Sequence, residues 1–379
     1  RNRCGSKRVG ATSPSDADGA EQLIQVTREL LEQLPKTELH VHLDGSLRPE
    51  TMIELAREYG KELPCWEPEA LRDHMHVKDA RNLVDYLARF DTTLSVMQTE
   101  AALERIAYEL AEDNARENVR YMEVRYSPVL NIQGGLTLDQ AVDAPLRGLR
   151  RAEKDYDIRT ALIICGIRNM SPQTSMELAD LTVDHRDRGV VAFDLAGAEY
   201  NYPAKKHREA FYKVINANIA ATIHAGEAYG PESIHQALHY CGANRIGHGT
   251  RLFEDPALMQ YVNDFRIPIE ICITSNVQTR VVSSFEDHPV RLYYDEGLVV
   301  TLNTDNRLMS GTTVTDEYLR AQQYLGFTWD ELCDIAVMGF QSAFLPHQEK
   351  VALVEEVKEE ISALSARYDE EVPLPAPAK

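Results

Sequence analysis

Eight short apolar runs rich in β-branched residues punctuate the chain: TELHVHL (37–43), VRYMEVRYS (119–127), RTALIICGI (159–167), VVAFDLAG (190–197), AATIHAGE (220–227), NRIGHG (244–249), IPIEICITSN (267–276) and VVTLNTDN (299–306). Most are followed by a few polar or Gly residues and then a stretch of helical periodicity, as in Leu138–Tyr156, Met176–Asp187, Pro231–Tyr240 and Ala257–Phe265. Near-continuous apolar runs alternating with helices are the pattern of parallel strands covered by crossover helices. Eight such units fit a closed barrel better than an open doubly wound sheet, and neither G-x-G-x-x-G nor G-x-x-x-x-G-K-[ST] argues the other way. The expected fold is therefore α/β, a (β/α)8 TIM barrel.

The stretch from about 44 to 117 is far longer than one crossover helix and reads as a helical insertion over the first loop. Within it Leu83, Tyr86, Leu87 and Phe90 fall at i, i+3, i+4 and i+7 on one helix face. That face either packs on the barrel or forms an apolar wall over the mouth, where barrel enzymes place their sites. Residues 1–20 are polar and Gly/Ser-rich, read as a flexible leader, and 369–379 end in a Pro-rich stretch read as a flexible tail. Residues 21–368 show no linker and are expected to form a single domain.

Composition narrows the partners. The chain is 44% hydrophobic and 26% charged, enough for a large core, and its formal net charge of −20 repels nucleic acid and anionic lipid. No apolar run approaches the ~18 residues of a membrane helix, which points to a soluble, cytoplasmic protein. Its six cysteines contain no C-x-x-C pair, so they are expected to be mostly buried thiols.

Residues able to bind metal or move protons cluster at the C-terminal ends of the expected strands. His40 and His42, at i and i+2 of the first strand, point to one face, and two imidazoles on one face are half a metal site. His224 ends the fifth strand, His248 the sixth and Asp305 the eighth. Imidazole nitrogens and a carboxylate oxygen are ligands of Zn²⁺, with Fe²⁺ and Co²⁺ also compatible. The fourth strand ends in FDLAG without a lysine to bridge a second ion, favouring one metal per chain.

The segments ELHVHLDGSLRPET (38–51), FDLAGAE (193–199), HAGE (224–227), RIGHG (245–249) and LNTDN (302–306) together resemble the adenosine deaminases among metal-dependent amidohydrolase barrels. The resemblance implies that His40, His42, His224 and Asp305 ligate zinc. By the same resemblance Glu227 is the general acid toward purine N1, while His248 orients the attacking water and, with Asp305, helps deprotonate it. Gly197 then offers its N–H to ring N3, Asp44 bonds the ribose 5′-hydroxyl, and the Leu83/Tyr86/Leu87/Phe90 face matches an apolar lid helix. Many family members carry a second aspartate where this chain has Asn306. An amide donates to purine N7 without taking up a proton, so base recognition survives while purine selectivity is less safely inherited.

The implied activity is hydrolytic deamination of adenosine and 2′-deoxyadenosine, the partner being a purine nucleoside. Asp44, in HLDG, favours a ribose-binding enzyme over one acting on adenine, an N6-substituted nucleotide or aminofutalosine. A non-catalytic metal-binding barrel is the rival of another class, and the sequence says nothing about oligomeric state. Structural readings stand beside the functional ones: Glu227 as a carboxylate at a helix N-terminus, His248 as a turn residue, Asp44 as a helix cap and Gly197 as a conformational requirement.

Overall fold

The structure, a computed structural model, describes residues 24–77 and 89–371. Eight strands run β1 Lys36–His42, β2 Val119–Tyr126, β3 Arg159–Ile167, β4 Val190–Ala196, β5 Ala220–Ala225, β6 Arg245–His248, β7 Ile269–Ile271 and β8 Val300–Leu302. Each pairs in parallel with the next in chain order, β1 to β8. The seam between β8 and β1 closes just beyond β8, where the His42 N–H donates to the Asp305 carbonyl at 2.7 Å and the Asp305 N–H to the His40 carbonyl at 2.9 Å. Deeper in the seam side chains replace the ladder. Asn303 Oδ1 accepts from the Leu39 N–H at 2.8 Å, and Thr304 Oγ1 donates to Glu38 at 2.6 Å. The result is the (β/α)8 barrel that the alternation predicts.

The barrel interior carries a layer of buried charge beneath the site. Arg125 on β2 pairs with Asp194 on β4 at 3.2 Å and with Glu270 on β7 at 3.0 Å, and Arg245 on β6 reaches Glu270 at 2.7 Å and Glu123 on β2. Buried carboxylates must be paired to be tolerated, and this lattice holds Asp194 and Glu270 in place under the strand ends.

Local signals set most helix starts. Leu138–Asp155 opens with a capping box of Thr137 and Gln140. Pro172–His185 begins ahead of the apolar periodicity because Ser171 caps it and Pro172 fits the first turn. The expected strand 267–276 is cut short. Only Ile269–Ile271 pairs, and Ile273–Gln278 is a helix whose Thr274 N–H is capped by Glu317 at 3.1 Å, from a helix 43 residues away in sequence.

The insertion contains helices Pro49–Tyr59, Pro68–Met75 and Phe90–Val96. Its last part, Glu100–Ala115, packs on Leu138–Asp155 and leads into β2, so it is the crossover helix of the first βα unit. Leu83, Tyr86 and Leu87 lie outside the described residues, as do the expected leader and the end of the expected tail. The last helix, His347–Glu371, runs into the stretch expected to be tail. Cys165, Cys241, Cys272 and Cys333 are buried free thiols and Cys65 is half-buried. No described helix is long and apolar enough to cross a membrane.

Candidate active site

Alternation along β1 turns both His40 and His42 inward, where they meet His224 from the end of β5. His224 Nε2 lies 3.1 Å from His40 Nε2 and 3.0 Å from His42 Nε2. Asp305 Oδ1 stands 3.6 Å from His40 Nε2 and 3.4 Å from His42 Nε2. The other ring nitrogens are committed: His40 Nδ1 donates to Glu270 Oε2 at 2.8 Å and His224 Nδ1 to Asp194 Oδ1 at 3.1 Å. With protons on Nδ1, the Nε2 lone pairs of these rings face each other at close range, which is repulsive unless a cation lies between them. Metal–nitrogen bonds of ~2.1 Å put tetrahedral neighbours ~3.4 Å apart, and the observed spacings bracket that value. The donor set therefore fits one divalent metal.

His248 is also close. Together with His40, His224 and Asp305 it brings a donor atom within 4.8 Å of the others. Its contacts differ, however. His248 Nδ1 faces Asn276 Nδ2 at 3.0 Å and its Nε2 lies 3.7 Å from Glu227 Oε2. His42 Nε2, by contrast, makes two of the close approaches in the cluster, to His224 Nε2 at 3.0 Å and to Asp305 Oδ1 at 3.4 Å.

The two strand ends that aim these groups are bent out of ordinary backbone geometry. His248 has φ 63° and Asp305 φ 61°, a left-handed conformation that costs a residue other than glycine of order 1–3 kcal/mol and concentrates at functional sites. Asp305 Oδ2 accepts from Ser275 Oγ at 2.6 Å, on the short helix that replaces the end of the expected seventh strand.

A cavity of about 280 Å³ opens over the cluster, close to the lower end of the ~300–1,000 Å³ typical of small-molecule sites. Its floor is His42, His224, His248, Glu227 and Asp305. Asp44, Asn306, Gly197 and Asn169 add polar groups, and Phe90, Leu94, Leu130, Ile167 and Met170 line an apolar wall. Phe90 and Leu94 stand at i and i+4 of one helix, so the described end of the expected lid face does reach the mouth.

The helix after Glu227 begins at Pro231 with Gly230 as its cap, and the buried Glu227 Oε1 has no hydrogen-bond partner. Arg48, not Asp44, precedes the helix at Pro49, and Asp44 Oδ1 is likewise buried without a partner. Gly197 serves both readings: its φ is 89°, and a Cβ there would stand 3.1 Å from Ile167 Cγ2 while the residue lines the cavity. Asn306 packs so tightly on Gly45 that any side chain at 45 would collide with its amide, and its Oδ1 also lacks a partner.

Burial drives the Glu227 carboxyl well above its usual range, reinforced by the charges of Asp305 and Glu199. Burial, with Asp305 nearby, pushes Asp44 up to about 7. Several supporting groups are not singled out by sequence reasoning: Asp194 and Glu270 behind the histidines, Ser275 behind Asp305, Asn276 behind His248. Glu199 belongs with them, since its carboxylate accepts the backbone N–H groups of Gly226, Glu227 and Tyr229 at 2.8, 3.0 and 3.0 Å and so shapes the loop that carries Glu227. Asp194 and Glu270 did leave a signal: a carboxylate inside a strand buried on both faces needs a partner.

A sequence profile described as adenosine deaminase matches residues 35–360. The chain belongs to the adenosine deaminase family. An adenosine deaminase of Mycobacterium sp. (strain JLS) is 43% identical over 348 residues, covering 88% of this chain and 96% of that one. Among solved structures, the adenine deaminase of Arthrobacter aurescens superposes with a TM-score of 0.81 at 28% identity, covering 87% of this chain and 99% of that one. The N6-methyl-AMP deaminase of Arabidopsis thaliana gives 0.77 at 28% identity, covering 90% and 100%. Family membership makes this chain one of a group of hydrolytic deaminases, and the cavity lining then bears on substrate. Among the described lining residues none is Lys or Arg. Arg48 is tied to Asp113 and Glu112, and Arg307 to Glu117.

Proposed function

We propose that this protein deaminates adenosine and 2′-deoxyadenosine to inosine and 2′-deoxyinosine, releasing ammonia, with His40, His42, His224 and Asp305 as the ligands of one Zn²⁺. The observation that carries the reading is Glu227: a buried carboxyl with a raised pKa and one oxygen, Oε1, without a partner, on the floor of the cavity that overlies three converging imidazoles and a carboxylate. Zinc held there supplies a water of lowered pKa, a hydroxide source at neutral pH.

The residues divide the remaining work. Glu227, kept protonated by its surroundings, donates to purine N1 and makes C6 electrophilic. His248 fixes the attacking water, and Asp305 takes the proton that the water releases as its oxygen bonds to C6. That proton passes to the amino nitrogen, the C6–N bond breaks and ammonia leaves as N1 returns its proton to Glu227 and the C6=N1 double bond re-forms, giving the 6-hydroxypurine tautomer of the product. Gly197 N–H addresses N3, Asn306 donates its amide N–H to N7, and Asp44 receives the ribose 5′-hydroxyl. The apolar wall of Phe90, Leu94 and Leu130 excludes water from the base.

The cavity lining favours a nucleoside over a nucleotide. A phosphate would meet Asp44 and Asp91 with no lining cation among the described residues. Turnover of adenosine, adenine, AMP and N6-methyl-AMP by the zinc-loaded enzyme tests this. Adenosine should have the highest kcat/KM, and preference for adenine or for either nucleotide would overturn the substrate assignment.

A further inference from the structure

His248 is linked through a buried chain of hydrogen bonds to His288, which does not itself line the cavity. The Val290 backbone N–H donates to His288 Nδ1 at 3.2 Å, and His288 Nε2 stands 3.1 Å from Asn276 Oδ1. A backbone N–H can only donate, so His288 Nδ1 carries no proton. The ring is buried, which pushes its pKa down to about 3, and the neutral ring must then hold its proton on Nε2. That proton goes to Asn276 Oδ1, which also accepts from Thr250 Oγ1 at 3.0 Å. With its oxygen so engaged, the Asn276 amide presents Nδ2–H to His248 Nδ1 at 3.0 Å. All four side chains of the chain, Thr250, Asn276, His288 and His248, are buried.

We propose that His288 and Asn276 are positioning residues that fix His248 as the Nε2–H tautomer, so that His248 acts as a hydrogen-bond donor into the cavity and leaves proton removal to Asp305. The proposal rests on the functional reading for what His248 does, while the tautomer stands on geometry alone. A donor at Nε2 also explains why that atom faces Glu227 Oε2 at 3.7 Å rather than serving as the fourth metal ligand. The direction of every bond in the chain follows from one backbone N–H, since reversing any link would leave two donors or two acceptors face to face.

The test is the ¹⁵N spectrum of histidine-labelled, zinc-loaded full-length protein, with His248 and His288 assigned by the loss of their signals in His248→Gln and His288→Gln. Both rings should show a pyrrole-type Nε2 and a pyridine-type Nδ1. In Asn276→Asp the carboxylate captures a proton on His248 Nδ1, so the tautomer should reverse. Because supporting contacts of this kind are worth roughly 10–100-fold, kcat should fall by about that factor with KM and bound zinc unchanged. His288→Gln, which still offers an N–H to Asn276 Oδ1, should keep the wild-type His248 signal and kcat, and His288→Phe should lose both. A pyrrole-type Nδ1 on wild-type His248 overturns the proposal outright, whatever the variants do. An unchanged His248 tautomer in well-folded Asn276→Asp overturns it as well. Wild-type protein with the expected tautomer but no turnover of any 6-aminopurine contradicts the functional reading and upholds the relay.

Discussion

Glu227 must hold a proton at a pH where free carboxylates have lost theirs, and three neighbours make that possible: the buried pocket itself, the charge of Asp305 and the charge of Glu199. The acid works only in its protonated form, so kcat/KM should fall as pH rises through the raised pKa, giving an alkaline limb in the profile. Glu199→Gln removes one of the charges that raise it, which should move that limb to lower pH while also loosening the loop through the lost acceptor for the Glu227 and Tyr229 N–H groups. A limb that stays in place would separate Glu199 from the acid's electrostatics. Asn306→Ala deletes an amide whose Oδ1 has no protein partner and which lines the cavity, and it should raise KM more than it lowers kcat. Unchanged kcat/KM would remove Asn306 from the site. At this scale the side chains that the structure brings together were legible, because His40, His42, His224, Glu227, His248 and Asp305 stand at the ends of recognisable apolar runs. Glu199 was not. Nothing local marks a glutamate that works by accepting backbone N–H groups 27 to 30 residues further along the chain.

Among the elements, β4 and β7 matter less for what they present to the cavity than for what they present to other strands. Asp194 on β4 orients His224 on β5, and Glu270 on β7 orients His40 on β1, each carboxylate being balanced by Arg125. Glu270→Gln keeps the shape but weakens the acceptor, and it should lower metal affinity by roughly 10–100-fold in a chelator competition, the usual cost of losing such a contact. Affinity equal to wild type would show that the imidazole is oriented by packing alone. The strands were readable from apolar runs because a strand covered on both sides needs apolar residues throughout. The end of the seventh run was misread for the same reason: Cys272 and Ile273 continue the apolar pattern, and the break into a helix depends on Glu317 from a distant helix. The insertion's boundary was blurred similarly, since Glu100–Ala115 belongs to the barrel's helical ring although no sequence marker sets it apart from the helices before it.

Across the whole molecule the barrel is an eight-stranded ring whose last joint is made partly by side chains. Asn303→Ala would leave the buried Leu39 N–H without its acceptor, a loss of about 1–3 kcal/mol that denaturant unfolding should detect, and a neutral result would mean that the seam does not depend on Asn303. Lys36, at the foot of β1, donates to the Leu31 and Leu34 carbonyls while fully buried, and burial pushes its pKa down to about 7. Between that value and its ordinary 10.5 the unfolded chain binds the proton and the folded chain does not. Folding stability relative to Lys36→Met should therefore rise as pH increases across that window. A flat difference would show that Lys36 is not desolvated in the native state. The closed ring matters for function because it brings β1, β5, β6 and β8 to one mouth, and no pair of neighbouring strands supplies the whole donor set. The most direct measurement is conversion of adenosine to inosine and ammonia by protein carrying one zinc per chain, beside Glu227→Gln with the same zinc content. Turnover by the wild type that collapses by about 10²–10⁴ in the variant is the predicted result. Absence of turnover in the zinc-loaded wild type, or full activity in Glu227→Gln, would contradict the account.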